Sequence, residues 1–360
     1  MRLGLVIYGS LEGLSGGYLY DRKLVGHLRR QGDQVEIVSL PWRRYLNHLG
    51  DNLSTALLQR LADLEIEILV QDELNHPSLF WLNRRLRKQV TYPIVAIVHH
   101  LRLSEPRPAW QNRFYGWIER SYLASLDGFI FNSQTTRQAV EAVIGPGYPA
   151  QVAYPAGDRF APAISAAEIA RRAALPGPLR LLFVGNVIPR KGLHTLLLAL
   201  QRLPPAAWRL AVCGSLQADR SYAARMQRLA DRLGLASQVE FLGALGESEL
   251  AARLVDGHLL ALPSFYEGYG IAYLEGMGFG LPAIATTAGS AREIITHGMD
   301  GYLIEPGDAQ ALAQLLYDLW EDRPRLAELS LAAQRRYSRH PTWEQSAAQA
   351  RAFLLHMRGR

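Results

Sequence analysis

His258-Leu-Leu-Ala-Leu-Pro-Ser-Phe-Tyr-Glu-Gly-Tyr-Gly-Ile-Ala-Tyr-Leu-Glu-Gly-Met-Gly-Phe-Gly-Leu-Pro-Ala-Ile-Ala-Thr-Thr287 decides the fold. Its two ends, residues 258–263 and 283–287, are apolar runs of the length of buried strands. Two such strands need a crossover between them, and the residues in between supply a loop and a helix, which makes a βαβ unit. Gly268 and Gly270 stand where that loop becomes the helix. Bare backbone N–H groups and the positive end of the helix dipole can meet a phosphate there, with Glu267 at the mouth. Ala272, Gly276 and Gly280 recur every four residues and give one smooth stripe against the sheet. A helical glycine costs about 1 kcal/mol against alanine, so Gly276, Gly278 and Gly280 point to close approach of backbone or ligand. Glu275 lies roughly 7–8 Å further along the helix axis than Gly270 at about 1.5 Å per residue. That is about the distance from a bound diphosphate to a ribose, so the two acids would touch different parts of one ligand.

The chain has 360 residues, 49% apolar and 20% charged, which suits a globular chain of about two domains. The one cysteine, Cys213, excludes an internal disulfide framework and sits in a strand-like run as a buried thiol. No Cys/His metal spacing is present, no apolar run approaches a membrane span, and Met1-Arg-Leu-Gly-Leu-Val-Ile7 reads as a first strand rather than a signal peptide. A cytoplasmic location is therefore expected. The net charge of +6 attracts anions, whether a nucleoside diphosphate, an anionic membrane face or nucleic acid.

The first half alternates strand and helix patterns on a parallel sheet, with strands at Leu3 to Tyr8, Val35 to Leu40, Ile66 to Val70, Pro93 to Val98 and Asp127 to Ser133, the last ending in polar residues. Gly9-Ser-Leu-Glu-Gly-Leu-Ser-Gly-Gly17 is a loop of ligand type, because Gly16 and Gly17 let backbone N–H groups approach where a Cβ would clash. His99 and His100 close an apolar strand, which puts an imidazole at the sheet's C-terminal edge. The Pro-spaced connection Leu101 to Trp110 is a candidate acceptor loop. Residues 75–90 read as one amphipathic helix, with Leu79, Leu82, Leu86 and Val90 on one face and Arg84, Arg85, Arg87 and Lys88 elsewhere. A solvated helix on the sheet is the plain reading. A peripheral contact with an anionic membrane, helped by Phe80, Trp81 and Trp42-Arg-Arg-Tyr45, is the alternative.

Ala161 to Pro178, rich in Ala and Pro, reads as a linker. Then comes Leu179-Arg-Leu-Leu-Phe-Val-Gly185, a strand, followed by Asn186-Val-Ile-Pro-Arg-Lys-Gly192 and an apolar helix from Leu193. Arg190 and Lys191 at the start of that helix face its positive end, an arrangement that calls for an anion between them, plausibly a diphosphate held by an Arg fork and a Lys point charge.

Glu267 and Glu275, set in Glu-Gly-Tyr-Gly-Ile-x-x-Leu-Glu-x-Met-x-x-Gly-Leu-Pro, resemble the signature of the retaining family 4 glycosyltransferases of GT-B fold. The resemblance extends to the Arg190-Lys191-Gly192 run, the Gly16-Gly17 pair and the His99 position, and covers nearly the whole chain, most strongly residues 179–307. It departs at Pro155-Ala156-Gly157, where the family usually has Pro-Asn-Gly, and at Arg292, where relatives mostly have Pro. It implies an α/β GT-B fold: two doubly wound Rossmann-like domains facing each other across a cleft. Residues 1–160 would be the acceptor domain and 161–340 the donor domain, with a terminal helix in 341–360 returning to the first.

The implied activity is retaining, metal-independent transfer of a hexose-type sugar from a nucleoside-diphosphate sugar to a carbohydrate or lipid-linked acceptor. No Asp-x-Asp motif occurs, so Arg190 and Lys191 would take a metal's place, with Glu267 and His99 at the sugar. Gly16, Gly17, Gly185, Gly268, Tyr269, Gly270, Ile271 and Glu275 complete the implied donor site, and no cofactor and no nucleic acid is expected. A catalytically silent nucleotide-sugar binding protein or a nucleotide-sugar epimerase on the same fold are the competing readings.

Overall fold

The computed structural model describes residues 1–13, 15–105 and 107–359. Leu14 of the Gly9–Gly17 loop, Pro106 of the Leu101–Trp110 connection and Arg360 therefore lie outside the described residues. The chain divides into two compact units, one of Met1–Pro155 with Pro341–Arg360 and one of Ala156–His340.

The first unit holds β1 (Arg2–Tyr8), β2 (Gln34–Leu40), β3 (Ile68–Asp72), β4 (Ile94–Val98), β5 (Gly128–Phe131) and β6 (Ala150–Val152) in one sheet, ordered β2-β1-β3-β4-β5-β6. All its pairings are parallel. Strands β3, β4 and β5 are buried along their whole length; β4 and β5 therefore read in the sequence as unbroken apolar runs, while β3 ends in the buried polar residues Gln71 and Asp72. The helix Trp343–Arg358 belongs to this unit, where Arg351 pairs with Asp33 at 2.7 Å and the Ser346 hydroxyl donates to the Tyr154 carbonyl.

The second unit holds β7 (Leu179–Val184), β8 (Trp208–Cys213), β9 (Val239–Gly243), β10 (Leu259–Leu262), β11 (Ala283–Thr286) and β12 (Gly301–Ile304), ordered β12-β11-β10-β7-β8-β9 and again parallel. β10 and β11 pair with Leu260 opposite Ala283, and the helix Ile271–Gly278 crosses between them, so the opening stretch is the expected βαβ unit. An added Cβ on Gly276 would stand 2.4 Å from Leu260 Cδ1, so this glycine is where the helix lies on its sheet. Gly280 falls outside the helix. It adopts φ 70° beyond the C-terminus and packs on Ile169, the left-handed stop that favours glycine. Cys213 is buried, and burial pushes its thiol up to about 11.

Three local expectations fail for identifiable reasons. Residues 75–90 form two short helices, His76–Leu79 and Leu82–Leu86, because the Asn52 side-chain oxygen accepts the backbone N–H groups of Trp81 and Leu82 at 2.9 and 3.1 Å and caps a new start there. The supposed linker contains the helix Ala166–Ala174, fixed by a Ser165/Glu168 capping box and by Arg172, which donates to the Phe279 carbonyl at 2.8 Å. The helix Arg323–Ser338 was not anticipated, since its heavily charged sequence shows little apolar periodicity.

Candidate functional site

In the second unit, strand β7 is followed by Gly185, whose φ of 144° favours glycine and whose Cα lies beside the Lys191 stem, an added Cβ standing 3.4 Å from Lys191 Cε in ordinary contact. Arg190 and Lys191 lie in a 3-10 turn, Pro189–Lys191, and Gly192 follows at φ 71° with its Cα against the Pro263 carbonyl, where a Cβ would come to 2.0 Å. Only glycine fits there. The helix Leu193–Leu200 begins after that turn.

This geometry delivers Lys191 onto Glu267. The ammonium and Oε2 are 2.5 Å apart with side chains 15% and 12% exposed, and Ser264 donates to the same oxygen at 3.2 Å. Arg190 donates instead to the Tyr266 carbonyl at 2.7 Å, and its own carbonyl accepts the Phe265 N–H at 2.7 Å. The anion beside the lysine in this structure is thus the glutamate carboxylate. Burial pushes the Lys191 amine below its usual value, with Glu267 opposing that shift. Burial would raise the Glu267 carboxyl, but Lys191 and Arg190 outweigh it and hold the group below the usual carboxylate value.

Glu267 is also fixed through its backbone. Its carbonyl accepts the Ser290 N–H at 3.1 Å, the Ser290 hydroxyl donates to the Gly268 carbonyl at 2.7 Å, and Gly289 at φ 87° could carry no Cβ without meeting the Glu267 carbonyl at 2.0 Å. Gly270 caps the crossover helix at φ 101°, where a Cβ would strike the Tyr273 ring at 2.3 Å, and Ile271 is the helix's first residue. Tyr269 reaches His340 through its hydroxyl at 3.2 Å. Glu275, 5% exposed, pairs with Arg159 Nε at 3.0 Å, and Gly157 lies so close to the helix that a Cβ would come within 2.6 Å of Leu274.

The first unit carries a separate cluster. Gly16 opens the helix Gly16–Arg30, and Gly17 lies against the His99 ring, where an added Cβ would be 3.2 Å from Cδ2. His99 Nε2 is 3.6 Å from Asp21 Oδ1, and Asp21 is fully buried with neither carboxylate oxygen hydrogen-bonded. Burial pulls the His99 imidazole down, but Asp21 and Asp72 outweigh that pull and hold it above the usual histidine value. Burial pushes Asp72 up to about 7. His100 turns elsewhere, to Glu105 at 3.2 Å. Next to these, burial pushes Glu73 and Glu119 each up to about 7 and drives His76 down to about 4. Asp21, Asp72 and His99 form one group, and Glu73, His76 and Glu119 another, whose ligand atoms lie close enough together to hold a cation.

Arg159, Ser264, Gly289, Ser290, Asp21 and Asp72 were not singled out from sequence. Asp21 had a signal available, since it stands one helical turn from Gly17 and therefore on the same face. As groups the metal-type clusters had little signal: Glu73 and His76 are three residues apart, but Glu119 joins them, and Asp21, Asp72 and His99 meet, only across distant parts of the chain.

Glycine-lined turns around a part-buried acid thus lie at the C-terminal ends of the parallel strands of an α/β unit, where ligands of open α/β sheets gather. The family model described as Glycosyl transferases group 1 matches residues 166–336. The D-inositol 3-phosphate glycosyltransferase of Thermobispora bispora is 32% identical over 295 residues, 75% of this chain and 68% of that protein. The GDP-mannose-dependent alpha-(1-6)-phosphatidylinositol monomannoside mannosyltransferase of Mycobacterium tuberculosis is 28% identical over 66% of each chain. A D-inositol 3-phosphate glycosyltransferase of Corynebacterium urealyticum is matched over 49% of its length, so the chain spans about half to two thirds of these curated relatives. Among solved structures, sucrose-phosphate synthase from Thermosynechococcus elongatus superposes with a TM-score of 0.84 at 19% identity over 99% of this chain and 98% of that one. Anabaena HepE in complex with UDP and glucose gives 0.79 at 21% identity over 99% and 100%. The fold is GT-B, and the chain belongs to the group 1 glycosyltransferases.

Two outcomes follow from the charge arrangement. Lys191→Met should destabilise the Ala156–His340 unit by about 1–3 kcal/mol, because it removes the ammonium that the part-buried Glu267 faces and leaves the Ser264 hydroxyl and the Arg190 charge to answer the carboxylate. Adding Glu267→Gln should recover much of that loss in urea denaturation, and a double variant no more stable than the single one would mean that the pair does not balance the site's charge. The second outcome concerns pH. Asp72, Glu73 and Glu119 keep their protons in the fold to about pH 7 but lose them near their ordinary values of 3.8 and 4.5 when unfolded. Their contribution is therefore complete below those ordinary values and is lost as the pH rises through 7. Thermal melting should show the first unit's stability falling from pH 5 towards 8, less steeply in Glu73→Gln; an unchanged slope in that variant would contradict the assignment.

Proposed function

We propose that the protein is a retaining, metal-independent glycosyltransferase that moves a hexose-type sugar from a nucleoside-diphosphate sugar to a carbohydrate or lipid-linked acceptor. The observation that carries this reading is the part-buried Lys191–Glu267 pair held among glycine-shaped turns. A buried cation already balanced by a carboxylate can exchange partners without being stranded. An arriving diphosphate takes over Lys191 and Arg190, and Glu267 is freed to accept hydrogen bonds from donor-sugar hydroxyls. The relatives named for GDP-mannose and inositol phosphate glycosylation, and the solved complex with UDP and glucose, support a nucleotide-sugar donor.

In the reaction proposed, the bond from the sugar's anomeric carbon to the diphosphate breaks while an acceptor oxygen bonds to the same carbon. The acceptor's proton passes to the departing phosphate oxygen on that face, which retains configuration. Lys191 and Arg190 stabilise the charge that grows on the leaving group, a role in which fixed cations need no reorganisation. Glu275, paired with Arg159, holds the ribose, and the His99 imidazolium, backed by Asp21, meets the transferred sugar. The backbone at Gly16, Gly17, Gly185, Gly268 and Gly270 makes the remaining donor contacts together with Tyr269 and Ile271.

The test is a panel of UDP-, GDP- and ADP-linked hexoses, followed by nucleoside diphosphate release with and without excess chelator, and by NMR of the product. Release from at least one donor, unchanged by chelator and giving a retained anomer, is the expected result. No release from any donor by folded protein would favour a silent binding protein. Activity lost in chelator and restored by manganese would place a metal in the chemistry, with Asp21, Asp72 and His99 the first ligands to substitute.

A further inference from the structure

The helix Ala109–Leu123 is turned with an unusual face to solvent. Its buried side carries Ile118, Glu119, Tyr122 and Leu123. Its outward side carries Trp110, Phe114 and Trp117, which are 70%, 39% and 61% exposed, interleaved with exposed Arg113 and Arg120. The spacing is that of a single helical stripe, and here the apolar stripe points away from the core.

Two neighbouring segments of the same unit extend it. The Phe80 ring meets Trp117 edge-on at 5.7 Å, and Trp81 beside it is 48% exposed. Tyr45 meets Tyr115 at 4.7 Å, with the Arg102 guanidinium over both rings at 4.6 and 4.5 Å, and Trp42 and Leu46 flanking Tyr45 are 64% and 63% exposed. The surface is therefore built from residues 42–53, 80–88 and 109–123, joined by an aromatic layer. Within these three segments the acids are Asp51, which pairs with Arg43 at 2.9 Å, and the buried Glu119. Exposed cations, Arg44, Arg84, Lys88, Arg113 and Arg120, surround the aromatic groups.

We propose that this face of the first unit docks on an anionic lipid surface, with the tryptophans at the headgroup boundary and the arginines on the lipid phosphates. Tryptophan favours that boundary because one end of its ring system is apolar and the other carries an N–H donor. Basic side chains beside it gain from the negative surface potential. The charge pattern argues against a second copy as the occupant, since a self-paired contact would bring arginine against arginine with no free acid to answer it. The inference deepens the transferase reading by bringing a lipid-linked acceptor within reach, and it rests on that reading only for its purpose.

The experiment needs no turnover, so it can fail separately from the transferase assignment. The full chain is sedimented with vesicles of phosphatidylcholine alone and of phosphatidylcholine with added phosphatidylglycerol, at low and high salt, while tryptophan emission is recorded. Binding to the anionic vesicles, weakened by salt and accompanied by a blue shift, is the expected result. Arg113→Gln/Arg120→Gln should cut partitioning about twenty-five-fold, from about fivefold per cation near the surface. Trp110→Gln/Trp117→Gln should weaken binding to the anionic vesicles and reduce the blue shift to what Trp42 and Trp81 supply, while circular dichroism stays at the parent level, since both side chains are largely exposed. Three results would overturn the proposal: equal binding to both vesicle types, full anionic binding by the tryptophan variant, or a dimer by light scattering that the tryptophan variant dissociates.

Discussion

A cation and a carboxylate part-buried against each other, Lys191 and Glu267 at 2.5 Å, set the terms for the site in the second unit. Each charge is largely withdrawn from water and gains from the other, and the chain around them is shaped to bring them together. Gly185 lies beside the lysine stem, Gly192 lets the turn pass the Pro263 carbonyl, and Gly289 lets β11's following loop clamp the Glu267 backbone. Gly192 and Gly289 each have a backbone oxygen where a Cβ would be, and Gly185 holds a positive φ of 144°. The glycine count of this region is thus a record of how tightly two loops converge on one pair, and the helix Ile271–Gly278 gives up helical propensity at Gly276 to lie on β10 for the same end.

The first unit meets a different electrostatic problem. Asp21, Asp72, Glu73 and Glu119 are buried close to His99 and His76, with too few cations to balance them all as carboxylates. Burial resolves this by keeping protons on Asp72, Glu73 and Glu119 to about pH 7, and the His99 ring, 3.6 Å from Asp21, is held above the usual histidine value. Glu119 also accepts the Arg102 and Leu103 N–H groups at 2.5 and 3.0 Å, which ties the start of the 101–110 connection to this cluster.

Much of the fold was legible because parallel strands buried on both faces must be apolar throughout, and runs such as Ile94–Val98 and Leu259–Leu262 announce themselves. The glycines of the Glu267 segment were legible for the same kind of reason, since no helix tolerates so many without a cause. What escaped was set by partners distant in sequence. Nothing local to Phe80 and Trp81 predicts that Asn52 will break the helix there, nothing near Arg159 announces Glu275, and the grouping of Asp21, Asp72 and His99 exists only once β3 and β4 are side by side. The outward stripe of Trp110, Phe114 and Trp117 misleads in another way, because helical apolar spacing ordinarily marks the buried face.

The central claim is that the Lys191–Glu267 pair is a reserve that the donor's diphosphate breaks. Calorimetric titration of nucleoside diphosphate, carrying no sugar, into the parent and Glu267→Gln tests it most directly. Removing the carboxylate's charge frees Lys191 for the phosphates, so the account predicts that Glu267→Gln binds the nucleoside diphosphate at least as tightly as the parent. Clearly weaker binding by Glu267→Gln would mean that the carboxylate serves the nucleotide rather than competing with it, and would contradict the account.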